Sequence, residues 1–187
     1  MRNVFNKLSI LNFLKKRSLL EQADSERLAE FLTFGQLKRV GIFANVGDID
    51  QLNAIVADLQ AHNIQVAIFL ILSKEDLEKA PDLKEKLQAG YHLLSPKHFS
   101  FLGEVSTALS KQFSRENFDA LLDLDSFDYR FYHLMEIHPC KFRIGIQHLE
   151  FPLYDFCILK EEQQALWDIY QQIKKYLTNI RPSINNS

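Results

Sequence analysis

The hydrophobic pattern divides most of the chain into short apolar runs and longer amphipathic stretches. Apolar runs without internal alternation are typical of strands that are buried on both faces of a sheet. Six segments have this character: 40–46, 64–72, 91–94, 118–124, 140–146 and 154–159. The stretches between them carry apolar residues at helical spacing, as in Leu52, Ile55 and Leu59, and predict amphipathic helices.

The alternation of strands and helices predicts an α/β fold, a three-layer, doubly wound, Rossmann-like sandwich around a mostly parallel sheet. Right-handed crossovers then favour the strand order 3-2-1-4-5-6. Only residues 147–153 separate the last two strands, fewer than the roughly twelve residues that a parallel crossover usually takes. An antiparallel last strand is therefore left open.

The chain has 187 residues, a length typical of a single domain. The pattern predicts a helical N-terminal extension over residues 1–36, a single α/β domain over 37–182 and a loose tail over 183–187. The extension is basic, because all five charged residues before Glu21 are Lys or Arg. A basic amphipathic helix can bind a membrane surface or a partner protein, and packing on its own domain is the alternative.

Composition disfavours several classes of protein. The early apolar run at 8–14 is too short and too polar to be a transmembrane segment. Cys140 and Cys157 lie in apolar runs, which predicts buried, reduced thiols and a cytoplasmic location. Residues 91–133 contain four bases and six acids, so the many aromatic residues there are expected in the core and as loop anchors, with no nucleic acid bound.

Acidic residues follow two strands whose carboxyl ends meet in the predicted order. Ligands of open α/β sheets bind beside the strand ends where the winding direction reverses, here between the first and fourth strands. We call this predicted site the acidic crevice, and its candidate residues are Asn45, Asp48, Asp50, Asp123, Asp125, Asp128 and Arg130. Five carboxylates with one nearby arginine make it the sharpest feature of the sequence.

The acidic crevice has two chemical interpretations. Divalent cations such as Mg²⁺ prefer carboxylate oxygens, so Asp123 and Asp125 are the candidate metal ligands. Alternatively, Asp123 bonds to backbone amides at the strand end and Asp125 or Ser126 caps the following helix, and this structural interpretation is favoured. We therefore predict no metal and no cofactor, and the sequence identifies no catalytic residue.

Familiar catalytic and phosphate-binding motifs do not occur in the sequence. All six glycines are isolated, and neither GxGxxG nor GxxxxGK[ST] is present, which argues against a glycine-rich phosphate loop. His133 and His138 are five residues apart, a spacing that places them on different faces of a helix. We expect these histidines to act as helix-end side chains, not as zinc ligands. There is also no GxSxG nucleophile elbow.

Three segments resemble a known family: NFDALLDLD at 117–125, CKFRIGI at 140–146 and YDFCIL at 154–159. The family is an uncharacterised group of Bacteroidota proteins, a domain of unknown function, and the resemblance runs from about Lys38 to the C-terminal helix. It implies a bacterial protein and no particular activity. At the level of the fold, the chain is also similar to the first half of heptosyltransferase-type glycosyltransferases. Those enzymes bind their sugar nucleotide largely with a second half, which this chain lacks.

Two functional hypotheses follow from these observations. The favoured one is a non-enzymatic binding or protein-interaction module whose partner is an unknown protein or a small molecule. The alternative is a small-molecule enzyme, or a vestigial glycosyltransferase-like half, with its site at the acidic crevice. An open crevice with available carboxylate oxygens favours the enzyme, and a filled crevice favours the binding module.

Overall fold

One parallel sheet forms the centre of the protein. The computed structural model describes residues 29–72, 76, 87, 89–100, 105–124, 129–146 and 153–180. In this part of the chain the six strands are β1 (Arg39–Ala44), β2 (Gln65–Ile71), β3 (Tyr91–Leu94), β4 (Ala120–Asp123), β5 (Phe142–Gly145) and β6 (Phe156–Cys157). Their order is β3-β2-β1-β4-β5-β6 and every neighbouring pair is parallel. The predicted α/β fold and strand order are confirmed.

Helices cover both faces of the sheet. Among the described residues they are α1 (Ile49–Ala61), α2 (Thr107–Phe113), α3 (Tyr129–Ile137) and α4 (Leu166–Asn179). Short 3-10 turns occur at Phe34–Gln36, Val46–Asp48 and Pro96–His98. Residues 1–28, most of the helix predicted between 74 and 88, and the tail at 183–187 lie outside the described residues.

Two hydrophobic cores make the fold a three-layer sandwich. Apolar residues of α1 and α4 pack on one face of the sheet, and apolar residues of α2 and α3 pack on the other. Successive residues of β1 illustrate the alternation, because Ile42 belongs to the first core and Phe43 to the second. Both residues are fully buried, which explains why β1 has a continuous apolar sequence.

The last strand does not run antiparallel to its neighbour, so that alternative is wrong. Ile144 of β5 pairs with Phe156 of β6 in parallel register. Ten residues, 146–155, join these strands, and an extended chain of that length spans roughly 30 Å. The four-residue strand β5 is only about 13 Å long. The connection is therefore long enough to return to the start of β5.

Most side chains that the sequence predicts to be buried are buried in the structure. Phe131 and Tyr132, two of the aromatic residues expected in the core, are buried, as is Cys140. Cys157 is exposed, so the prediction of a buried thiol is wrong there. The reason is its place on the edge strand β6, where Phe156 and Ile158 take the inward positions. None of the helices in the described ranges is long and apolar enough to cross a membrane.

Candidate functional site

Asp123 is the buried residue at the predicted acidic crevice. It is the last residue of β4, and its side chain is inaccessible to solvent. It pairs with Phe43 of β1 on one side and with Gly145 of β5 on the other. Because side chains alternate along a strand, Asp123 points to the same face as Leu121, the face that α2 and α3 cover.

Tyr154, which lies just before β6, covers Asp123. Its hydroxyl donates a hydrogen bond to Asp123 Oδ2 at 2.5 Å. Gly145 makes room for this contact, because a Cβ atom at position 145 would overlap the Tyr154 ring. The Tyr154 ring therefore lies over β5 and reaches Asp123 on β4. A buried carboxylate that accepts a hydrogen bond in this way is typical of a structural role.

Asn45, Asp48 and Asp50 lie between the end of β1 and the first turn of α1. The Asn45 side chain accepts a hydrogen bond from the Gly47 N–H at 3.1 Å. Asp48 is the N-cap residue of α1 but its side chain makes no capping hydrogen bond, and Asp50 is exposed in the first turn. The helix that carries Asp50, α1, packs on the face of the sheet opposite the Asp123 side chain.

Arg130, the base predicted nearest to the crevice, contacts an aromatic ring. It belongs to the first turn of α3, and its guanidinium carbon lies 5.2 Å from the centroid of the Phe99 ring, a cation–π distance. Asp125 and Asp128 lie outside the described residues, so a single acidic crevice stays a prediction. Over the ranges that the structure describes, no group of three or more His, Cys, Asp or Glu could hold a metal ion.

His138 and Arg143 together close the end of α3. The Cys140 N–H donates to His138 Nδ1 at 3.0 Å, and His138 Nε2 lies 2.8 Å from the Glu116 carbonyl oxygen. Burial lowers the pKa of His138, and the nearby positive charge of Arg143 lowers it further. The hydrogen bond to the Glu116 carbonyl acts in the opposite direction but is outweighed. The Arg143 guanidinium donates to the carbonyls of Glu136 and His138 at the helix end. The predicted helix-end role of His138 is confirmed.

A second concavity lies between the edge strand β3 and helix α2. We call it the side pocket; its volume is about 290 Å³, and its lining residues are Phe69, Tyr91, His92, Leu93, Leu94, His98, Leu109, Gln112, Phe113 and Glu116. The helix at this pocket, α2, has only seven residues, roughly 10 Å of helix, and His92 at the edge of the sheet is partly exposed. The sequence did not predict it.

Several polar groups of the side pocket are available to a ligand. The Ser95 N–H donates to His98 Nδ1 at 2.9 Å, which leaves Nε2 as the donor atom of the neutral ring. His98 Nε2, both ring nitrogens of His92 and the side-chain amide of Gln112 have no hydrogen-bond partner within the described residues. These atoms are the ones that could bind and orient a small molecule.

The remaining polar residues of the side pocket are already engaged. The Glu116 carboxylate forms an ion pair with Arg39 at 2.5 Å. The Tyr91 side chain lies on the opposite face of the sheet, where it packs on the first core and its hydroxyl donates to Asn53 Oδ1 of α1 at 2.8 Å. Burial raises the pKa of Tyr91 to about 12. Tyr91 therefore stays protonated and is unsuited to act as a base at neutral pH.

Comparison with known families places the chain in one of them. The model of a family of unknown function, DUF6913, matches residues 7–180. The chain belongs to this family. No curated protein has significant sequence similarity to the chain. Membership of DUF6913 confirms the predicted domain of unknown function; a Bacteroidota source and a glycosyltransferase link stay predictions.

One further cluster in this DUF6913 chain was not predicted from the sequence. Tyr170 and Lys174 of α4 both contact the Asp58 carboxylate of α1, the hydroxyl at 2.5 Å and Lys174 Nζ at 2.8 Å. The Lys174 ammonium also lies 5.2 Å from the Phe34 ring centroid. The cluster joins two helices over the first core, and its partners are 112 and 116 residues apart in sequence, so spacing gave no signal of it.

Proposed function

We propose that this protein is a non-catalytic binding domain that takes a small molecule into the side pocket. The observation that carries the proposal is the contrast between the two concave regions. The side pocket has accessible polar atoms on His92, His98 and Gln112, as a ligand site requires. At the acidic crevice, the Asp123 carboxylate is buried and accepts a hydrogen bond from Tyr154.

The chemistry of the side pocket supports binding without catalysis. Its carboxylate, Glu116, is paired with Arg39, and the hydroxyl of Tyr91 lies on the opposite face of the sheet, where it donates to Asn53. An activated nucleophile or base usually needs a partner that shifts its pKa toward the working pH. The two histidines supply hydrogen bonds and ring surfaces but have no carboxylate partner among the described residues. Their arrangement fits recognition of a ligand.

A blocking substitution tests this proposal. Gln112 is exposed on α2 at the rim of the side pocket, so Gln112→Trp should fill the pocket without disturbing the core. Gln172→Trp is the matched control, because Gln172 is an exposed glutamine on α4. Ligand-observed NMR with a panel of neutral, cationic and anionic ring compounds measures binding to both variants.

The two variants should differ in a simple way. Compounds that bind the wild type should lose binding to Gln112→Trp and keep it with Gln172→Trp. The proposal is wrong if the panel binds Gln112→Trp as well as the wild type, or if binding is lost only when Asp123 is replaced by Asn. Amide spectra of each variant establish that it is folded.

An enzyme at the acidic crevice remains the alternative proposal, including a vestigial glycosyltransferase-like half. The position of Asp123 beside the point where the winding direction reverses favours it. Thermal unfolding with Mg²⁺, Mn²⁺ and nucleotide sugars tests this alternative. A stabilisation by nucleotide sugar that disappears in Asp123→Asn supports an enzyme, and no shift at saturating concentration contradicts it.

The sequence also suggested a protein partner and a cytoplasmic location, and we keep both as proposals. Phe31 and Tyr176 are 40% and 53% exposed beside the edge strand β6, and both rings lie near Phe156, with centroids 5.9 and 6.0 Å from it. An exposed aromatic pair of this kind favours a protein contact.

The basic segment 1–17 gives a second proposed contact, with a partner or a membrane surface. Liposome flotation of the full chain and of a chain lacking residues 1–17 distinguishes a membrane surface from a protein partner. A membrane contact predicts that the full chain floats with anionic vesicles and that the shortened chain does not.

A further inference from the structure

We propose that the ligand of the side pocket is a small, uncharged, planar heteroaromatic compound that carries hydrogen-bond acceptors, with a purine base as the type. This inference rests on the proposed function and specifies the chemistry of its ligand. Three features carry it: a stacked pair of rings, a lining whose described residues include no Lys or Arg, and a histidine donor that a backbone contact holds in place.

Ring stacking is the first feature. The His92 ring lies on the Phe69 ring with 4.9 Å between centroids and 15° between planes. Phe69 is 4% exposed and covers one face of His92, while His92 itself is partly exposed at the sheet edge. Among the described residues, no second ring stacks on the opposite face of His92. A planar ligand that stacks on this face would extend an existing aromatic pair.

Charge is the second feature. The described residues that line the side pocket include no Lys or Arg, and their one carboxylate, Glu116, is paired with Arg39. An anionic ligand would find no cation to compensate its loss of hydration. Phosphates, sulfates and carboxylates are therefore poor ligands for this pocket, and a neutral ring suits it better.

A fixed hydrogen-bond donor is the third feature. His98 ends the turn at Pro96–His98, and the Ser95 N–H donates to its Nδ1. The neutral ring then carries its proton on Nε2, which donates to a ligand acceptor. The Gln112 amide on the facing helix offers a donor and an acceptor at the rim. A ring with nitrogen acceptors matches this set, whereas a purely hydrocarbon ring does not.

Pocket size limits the ligand to one ring system. A volume of about 290 Å³ lies at the lower end of the range for small-molecule sites, roughly 300–1,000 Å³. A base or a similar bicyclic compound fits this space, whereas a nucleotide would place its phosphates beyond the lining. We expect a dissociation constant of roughly 1 mM or below for such a fragment.

Three probes of similar size separate these features. Adenine is a neutral ring with acceptors, indole is a neutral ring that only donates, and benzoate is an anionic ring. Isothermal titration or NMR titration of the full-length protein should give the affinity order adenine, indole, benzoate. We expect adenine to bind roughly threefold to tenfold more tightly than indole, as one net hydrogen bond contributes.

Variants of two histidines assign the affinity to the pocket. His92→Leu removes the stacking surface and should weaken adenine binding roughly threefold to tenfold, whereas His92→Phe keeps a ring and should restore it. His98→Asn keeps an acceptor for the Ser95 N–H but removes the Nε2 donor. It should weaken adenine and leave indole unchanged, which a merely structural effect would not do.

The outcomes distinguish the ligand class from the proposed function. If benzoate or indole binds more tightly than adenine, and Gln112→Trp abolishes that binding, the ligand class is wrong and the proposed function stands. Equal adenine affinity in the wild type and His92→Leu also overturns the ligand class. If no probe and no compound of the panel binds at the side pocket, both proposals fail.

Discussion

Gly145 and Tyr154 show how one residue without a side chain positions another. The Tyr154 ring occupies the space that a Cβ at position 145 would need, and its hydroxyl donates to the buried Asp123 carboxylate. A methyl group at position 145 would displace the ring and leave Asp123 with one donor fewer. The contact therefore depends on glycine at this position of β5.

Gly145→Ala should lower the free energy of unfolding by about 1–3 kcal/mol, as overpacking of a core does. Gly35→Ala is the control, because a Cβ at position 35 meets nothing within 4 Å and should change stability by less than about 0.5 kcal/mol. Urea denaturation measures both. Combining Gly145→Ala with Tyr154→Ala should cost less than the sum of the single changes, and full additivity would contradict the steric account.

His138 should make stability depend on pH in the weakly acidic range. Burial lowers its pKa in the folded protein, whereas an unfolded histidine titrates near 6.5. Below about pH 6.5 the unfolded chain therefore binds more protons, and the free energy of unfolding falls as pH decreases, by at most about 1.4 kcal/mol per pH unit. His138→Gln should flatten this dependence between pH 7.5 and 5.5 in urea denaturation. An unchanged slope would show that His138 does not titrate in this way.

Residue patterns predicted the cores well and the polar contacts poorly. The alternation along β1 and the apolar faces of the helices follow from local sequence, so buried residues such as Ile42, Phe43 and Phe131 were predictable. The bond from Tyr154 to Asp123 spans 31 residues of sequence, and no local pattern specifies it. Its one local signal is Gly145 in the buried strand β5, which marks a close approach.

At the scale of elements, α1 and α4 are held together by an ion pair as well as by apolar packing. The Asp58 carboxylate accepts hydrogen bonds from Tyr170 and Lys174. Burial raises the pKa of Asp58, but the bonds from Lys174 and Tyr170 outweigh it, and the net pKa is below the usual value. The ionised form of Asp58 therefore stabilises the folded protein.

Lys174→Met should lower the free energy of unfolding at pH 7 by about 1–2 kcal/mol, since it removes hydrogen bonds to a charged partner. Because the folded pKa of Asp58 is lowered, this stabilisation is present above the unfolded value near 3.9 and is lost as pH falls through the folded value. The difference from wild type should then shrink at pH 3. Lys175→Met, at the exposed neighbouring position, should have little effect at either pH.

A stability difference that persists unchanged at pH 3 would contradict the role of the ionised Asp58. An equal loss in Lys175→Met would assign the effect to helix propensity or net charge. Both variants keep a long apolar stem at their positions, so the comparison isolates the charged contact to α1.

The elements themselves follow from the sequence except where an edge strand is involved. Strand order could be predicted because apolar runs, helical spacing and right-handed crossovers leave few arrangements. The direction of β6 could not, because rules for connection length assume strands longer than Phe156–Cys157. Exposure of Cys157 follows from the same edge position.

At the scale of the whole molecule, two regions compete as the functional site. General rules for α/β sheets favour the strand ends between β1 and β4, and the sequence predicted that region. The side pocket lies instead between the short helix α2 and the edge strand β3. Helix length relative to strand position is a tertiary property, so the residues of the side pocket, such as His92 and Gln112, carried no signal in the sequence.

Mapping the bound ligand on the protein tests the central claim most directly. Amide ¹H–¹⁵N spectra of the full chain would be titrated with the ring compound that binds most tightly. We predict that the largest chemical-shift changes occur at His92, Leu109 and Gln112, which line the side pocket. Changes concentrated at Asn45, Asp50 and Arg130, with none at the side pocket, would contradict the proposal and return the site to the strand ends.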